Sequence, residues 1–172
     1  QISVRLSQDD HLELPQLGLK FSVLEIPGHT LDHIAYYGDI GLFCGDTLFS
    51  AGCGRLFEGT PQQMFSSLAK LTALPADTEV FCTHEYTMAN IAFAEAVEPN
   101  NQALIDHKHW ASKQREKNIP TLPSNIHREL EVNPFLRCNS RELVKNVSQN
   151  IGATLISDQA TFASLRNWKD NF

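Results

Sequence analysis

The stretch GLFCGDTLFSAGCGRLFEGT, residues 41–60, constrains the fold more than any other part of the chain. An apolar, strand-like run (Leu42, Phe43, Cys44) halts at Gly45, and Asp46 follows at once. Three further glycines (Gly52, Gly54, Gly59) and a single arginine, Arg55, occupy the loop that leads to a helix start at Thr60-Pro61. A carboxylate at a strand end, beside backbone that can approach a ligand closely, is a common way to build a site on an α/β scaffold. Alone, the stretch would also suit a simple tight turn. Its weight comes from His29 upstream and His84 downstream, each at the end of another strand-like run.

The bulk properties narrow the function classes. A chain of 172 residues can bury a good core as one domain or two small ones. The net charge of −6 argues against a nucleic-acid binder, because no basic stripe is present to release counterions. No apolar run approaches the roughly 18 residues of a membrane span, and there is no secretory segment. The four cysteines, Cys44, Cys53, Cys82 and Cys138, form no CxxC pair and read as free thiols, so a reducing cytoplasm is expected. The sequence opens on Gln1 with strand-like residues (Ile2, Val4, Leu6), which leads us to expect a piece of a longer protein.

Along the chain, short strands are expected at 2–6, 12–14 and 19–26, and a strand pair at 34–37 and 40–44 around Gly38-Asp39. A helix is expected over 61–74, with Thr60 as N-cap, Pro61 at the first position and Gln63 completing a capping box. Met64, Phe65, Leu68 and Leu71 form its apolar face, and Pro75 ends it. A strand over 79–82 leads into Thr83-His84-Glu85-Tyr86. Helices then dominate, at 87–97, 101–118, 140–150 and 158–171, with a proline-containing connector at 119–125. We therefore expect two units, 1–86 and 87–172, with the boundary near Tyr86.

His29, Asp46 and His84 are the candidate metal ligands. Imidazole and carboxylate together suit zinc, manganese or iron, and the absence of thiolate from the set points to a catalytic site. Taken singly, a histidine after Pro-Gly is an ordinary loop residue and an aspartate after glycine an ordinary turn residue. If the three strands share a sheet, however, their ends can converge on one rim.

The motifs PGHTLDH (27–33), FCGDTLF (43–49), GCGRLFEGT (52–60) and THEYT (83–87) resemble the second half of a metallo-β-lactamase-fold hydrolase. The specific resemblance is to the glyoxalase II, or hydroxyacylglutathione hydrolase, family. NPFLR (133–137) and RNWK (166–169) resemble that family's helical C-terminal domain, so the resemblance covers essentially the whole chain. PGHT alone marks only the superfamily, whereas GCGRLFEGT with HEYT is specific to the branch. The implied fold is α/β, the second half of an αββα sandwich followed by an all-α C-terminal domain.

The resemblance implies two adjacent divalent ions, zinc first with iron or manganese as alternatives. His29 would bind the first, His84 the second, and Asp46 would bridge them as the catalytic centre. The implied substrate is a small-molecule glutathione thioester such as S-lactoylglutathione, hydrolysed to glutathione and a 2-hydroxy acid. Arg166 and Lys169 match positions that hold the glycine carboxylate of glutathione, and Arg55 and Tyr86 match contacts to its peptide. Phe57 stands where some members carry tyrosine. Without the resemblance, two cations near a C-terminus would read as complements of the helix dipole. His33 matches a supporting position; His11, His107, His109 and His127 match no ligand and read as surface or structural. Cys53 has no evident histidine base and reads as structural.

The family's remaining ligands come from an HxHxDH motif that these 172 residues lack; His107-Lys108-His109 is only an echo in a charged helical stretch. The resemblance thus implies an inactive fragment with exposed apolar sheet surface, and a monomer at full length. Two other readings remain: a glutathione persulfide sulfur dioxygenase on the same fold, and a non-catalytic remnant that binds glutathione or a partner.

Overall fold

In the computed structural model, which describes residues 4–172, the chain runs β1 (His11–Leu14), β2 (Leu19–Glu25), β3 (Ile34–Gly38), β4 (Gly41–Gly45), β5 (Leu48–Phe49), β6 (Gly52–Cys53) and α1 (Pro61–Thr72). It continues through β7 (Glu79–Cys82), α2 (Thr87–Val97), α3 (Gln102–Glu116), β8 (Ser124–Asn125), α4 (Ile126–Val132), a 3-10 turn at Pro134–Leu136, α5 (Arg141–Ile151) and α6 (Asp158–Asp170). The expected strand at 2–6 is not formed over Val4, Arg5 and Leu6, and its first residues lie outside the described part.

Six strands form one sheet in the order β1-β2-β3-β4-β7-β8, and β5 and β6 form a separate small hairpin. β2 is antiparallel to β3 and β3 to β4, so β2 and β4 point the same way; β7 lies parallel to β4. The C-terminal ends of β2, β4 and β7 therefore share one rim, and His29, Asp46 and His84 follow those ends.

Cross-strand pairing sorts the side chains by face. Leu24, Ala35, Leu42 and Val80 face the helices and join one core with Met64, Leu68 and Leu71 of α1 and Phe162 and Leu165 of α6. One core thus serves both halves of the sequence. The helical half also contributes β8 to the sheet edge, a two-residue strand too short to leave a periodic signal. The opposite face carries a ring-to-ring row in which Phe21 meets Tyr36 and Phe43 edge-on, and Phe43 stacks on Phe81 at 4.9 Å. Tyr36, Phe43 and Phe81 are only half-buried and lie outside that core.

Helix α1 starts as its sequence dictates. The Thr60 side chain accepts from the Gln63 amide at 3.2 Å, and the Gln63 side chain accepts from the Thr60 amide at 2.8 Å. It ends at Thr72, two residues before the expected Leu74, because the Leu74 amide turns back three residues to the Leu71 carbonyl ahead of Pro75. α3 is likewise shorter than expected, and α4 was not anticipated: it is one short segment between a proline-rich connector and Asn133-Pro134.

Leu68 is 1 % exposed and sits where α1 meets the sheet, whereas Leu130 on α4 is 40 % exposed. Leu68→Ala is expected to lower the unfolding free energy by about 2–5 kcal/mol, and Leu130→Ala to change it by less than about 0.5 kcal/mol. Equal shifts of the two urea midpoints would contradict this placement of the core.

Candidate active site

The geometry around Asp46 is set by two glycines. β4 ends at Gly45 in a left-handed conformation (φ +54°), and a Cβ there would run into Nε2 of His33. That nitrogen accepts the Asp46 amide proton at 3.1 Å, so His33 positions the backbone of Asp46. Burial holds the His33 imidazole below the usual histidine range and keeps it an acceptor. The β5–β6 hairpin then folds back so that Gly54 donates to the Thr47 carbonyl at 3.2 Å. A Cβ on Gly54 would collide with the Asp46 carbonyl oxygen.

The two histidines arrive from the ends of β2 and β7, on either side of β4 and its Asp46. His29 Nδ1 donates to the Arg55 carbonyl at 2.9 Å, and Phe57 donates its amide to the His29 carbonyl at 3.2 Å. This leaves the His29 Nε2 lone pair free. His84 Nε2 lies 3.2 Å from Asp46 Oδ1, and the His84 ring stacks on Tyr86 at 4.9 Å. All seven residues assigned a role from the sequence line one cavity of about 530 Å³. A larger groove of about 880 Å³ opens at the opposite strand ends, beside the Glu13–Lys20 ion pair, and contains none of them.

The donor chemistry fits a divalent metal. Two imidazoles and a carboxylate suit zinc, iron or manganese, and a carbonyl holding one ring nitrogen is the usual support for a ligating imidazole. Among the described residues, however, no group of three or more His, Cys, Asp and Glu side chains is gathered closely enough to hold an ion. The set is partial.

The cations sit on the other wall. Arg166 is 4 % exposed and is committed to the fold: its Nη1 donates to the Cys53 carbonyl at 2.9 Å, and its Nη2 donates to Asp170 at 2.9 Å. Its guanidinium also lies over the Phe135 ring, while its Nε has no partner among the described residues. Lys169 donates to the Ala89 carbonyl at 3.1 Å and lies over Phe93. Burial, then Arg166, lowers its pKa to about 8. Cys53 is buried against Arg166, and burial raises its thiol pKa, so it is no ready nucleophile.

One participant escaped the sequence reading. Asp170 lies between Arg166 and Arg55, 3.9 Å from the latter, and its i+4 spacing from Arg166 was the available signal. His107 is buried, bonds Ser50 Oγ at 3.3 Å and stacks on Trp110, itself capped by Arg128. It is structural.

The family model described as hydroxyacylglutathione hydrolase C-terminus matches residues 85–172, and that for the metallo-beta-lactamase superfamily matches residues 2–84. The hydroxyacylglutathione hydrolase of Nitrosomonas europaea is 50 % identical over 167 residues, covering 97 % of this chain and 64 % of that protein. That of Photobacterium profundum is 53 % identical over 171 residues, covering 99 % and 66 %. The chain thus spans just under two thirds of the length of these relatives. Among solved structures, ETHE1 from Myxococcus xanthus aligns with a TM-score of 0.56 at 24 % identity, covering 96 % of this chain and 59 % of that one. A metallo-beta-lactamase from Staphylococcus aureus subsp. aureus COL aligns with a TM-score of 0.54 at 18 % identity, covering 94 % and 42 %. At these identities the two structures speak for the fold alone.

Replacing Arg166 by methionine is expected to cost about 2–3 kcal/mol of stability, because two charge-assisted bonds are lost and their acceptors stranded. Arg55→Met, at an exposed side chain, should stay within about 0.5 kcal/mol; equal losses in chemical denaturation would refute the structural role of Arg166. A second expectation concerns pH. Burial, then the charge of Arg128, lowers the His107 pKa to about 4 from its ordinary 6.5, so between those values the unfolded chain binds the extra proton. Stability from this group is present above pH 6.5 and is lost as pH falls towards 4. His107→Gln should flatten that part of the profile, and an unchanged slope would contradict the assignment.

Proposed function

The chain belongs to the hydroxyacylglutathione hydrolase family, and from that premise we propose that its site serves the hydrolysis of S-(2-hydroxyacyl)glutathione thioesters, chiefly S-lactoylglutathione, to glutathione and a 2-hydroxy acid. The observation that carries the reading is the joint placement of His29, Asp46 and His84 with Arg55, Arg166 and Lys169 around one cavity. Divalent ions held by the first three, zinc first with iron or manganese as alternatives, would supply an activated water and neutralise charge on the acyl oxygen. His29 offers Nε2 with its ring fixed through Nδ1, and Asp46 offers its carboxylate towards His84.

The thioester's glutathione arm is anionic, and Lys169 and Arg55 give the cavity the charge to receive it. Lys169, with a pKa of about 8, is mostly protonated at neutral pH. Tyr86 supplies a half-exposed hydroxyl beside the His84 ring. Arg166 acts from behind the wall, holding Cys53 and Gly54 in place. The unpaired thiols, of which Cys44, Cys53 and Cys138 are buried, support a reducing cytoplasm as the compartment. Because three donors do not make a two-metal set, we assign activity to a form that also carries an HxHxDH segment and expect the 172 residues alone to be inactive.

In the active form, Asp46→Ala should lower S-lactoylglutathione hydrolysis at least about a hundredfold and reduce metal content. A variant with the wild-type rate would sink the proposal. Two tightly held metals in the 172-residue chain would contradict its assignment as inactive.

A further inference from the structure

The tip of the β5–β6 hairpin is buried: Ser50 is 2 % exposed, and Ala51 is fully buried with a positive φ of 56°. A turn removed from water must find partners for its backbone groups. Here the partners are side chains of the helical half. Glu129 of α4 accepts the Ala51 amide proton at 2.9 Å. Asn90 of α2 donates to the Ser50 carbonyl at 3.0 Å. Asn133 donates to the Phe49 carbonyl at 3.2 Å and the Gly52 carbonyl at 2.9 Å. The clamp is itself closed, since Asn133 also donates to Glu129 at 3.0 Å and the Ser124 hydroxyl donates to the other Glu129 oxygen.

The open end of this hairpin carries the site. Asp46 precedes β5 by two residues, Gly54 and Arg55 follow β6, and the two legs are joined by the Gly54 amide on the Thr47 carbonyl. A second tie of the same kind holds the neighbouring rim loop: Glu85, between His84 and Tyr86, accepts from the Thr121 amide at 3.1 Å and from its hydroxyl. Among the described residues, no strand pairing with the large sheet replaces these bonds. β5 and β6 pair only with each other in a two-stranded sheet.

We propose that Asn90, Glu129 and Asn133 are positioning residues for the site: by fixing the hairpin tip they set where Asp46 and Arg55 stand relative to His84. The helical half thereby acts on the metal-facing donors and not only on the substrate wall. The inference deepens the functional reading and takes from it the importance of Asp46, but the geometry it asserts is measurable without catalysis.

The test is amide hydrogen exchange, followed by NMR, on the 172-residue chain and on two near-isosteric variants. Asn90→Asp removes the donor to Ser50, and Glu129→Met removes the acceptor of the Ala51 amide and of Asn133. In each variant the Ala51, Gly54 and Asp46 amides should exchange about tenfold faster or more, while the Val23 amide, bonded to Asp10, keeps its rate. Unchanged exchange at Asp46 and Gly54 overturns the proposal. So does uniform acceleration that includes Val23, which marks a merely structural role. Should one variant fail to fold, the other decides. Zinc analysis of the active form, the one that also carries the HxHxDH segment, separates the two readings: a zinc content that Asp46→Ala leaves unchanged counts against the metal reading, while the exchange result stands by itself.

Discussion

A hairpin tip enclosed by helices has no water to satisfy it, and the rest of the site follows from how the chain solves that problem. The solution is a set of buried amides and one buried carboxylate reaching across from α2, α4 and Asn133. Burial raises the Glu129 pKa, and the bonds from Ser124, Asn133 and Ala51 oppose that rise. Breaking one partner of such a network leaves a desolvated group behind, which costs more than the bond itself returns. The arrangement therefore has little slack, and little slack at the tip means little slack for Asp46 and Arg55 at the open end.

The same economy appears on the cationic wall of the cavity. Arg166 would be an obvious anion receptor on the surface, yet it is spent on the Cys53 carbonyl and on Asp170. Lys169 and the exposed Arg55 remain to meet a ligand, with Asp170 between the two arginines as a counter-charge. One wall of the cavity thus presents imidazole and carboxylate, and the other presents ammonium and guanidinium.

The sequence was most informative where function meets local structure. Gly45-Asp46, Pro27-Gly28-His29 and Cys82-Thr83-His84 each mark a strand end, and parallel β2, β4 and β7 turn three separate ends into one rim. The capping box of α1 was equally legible, because its partners are three residues apart. What could not be read are contacts over long separations. Arg166 meets Cys53 across 113 residues and Asn133 meets Gly52 across 81, and no local pattern announces either. β5, β6 and β8 are two residues each, too short for any periodicity to register. His107 looked like one of two histidines in a charged helix; only the packed structure places it under Ser50 and Trp110.

The metal reading proposed for this site has imidazole nitrogen and carboxylate oxygen as the donors and leaves the nearby thiols out. Cys53 lines the same cavity, and Cys82 bonds the His84 carbonyl at 3.5 Å, so the alternative is physically close. Burial keeps both thiols above their ordinary pKa and disfavours the thiolate that metal would need. Zinc K-edge absorption on the zinc-loaded active form, with its HxHxDH segment, decides the matter. The account predicts a first shell of nitrogen and oxygen at about 2.0–2.2 Å, and a sulfur shell at about 2.3 Å would contradict it.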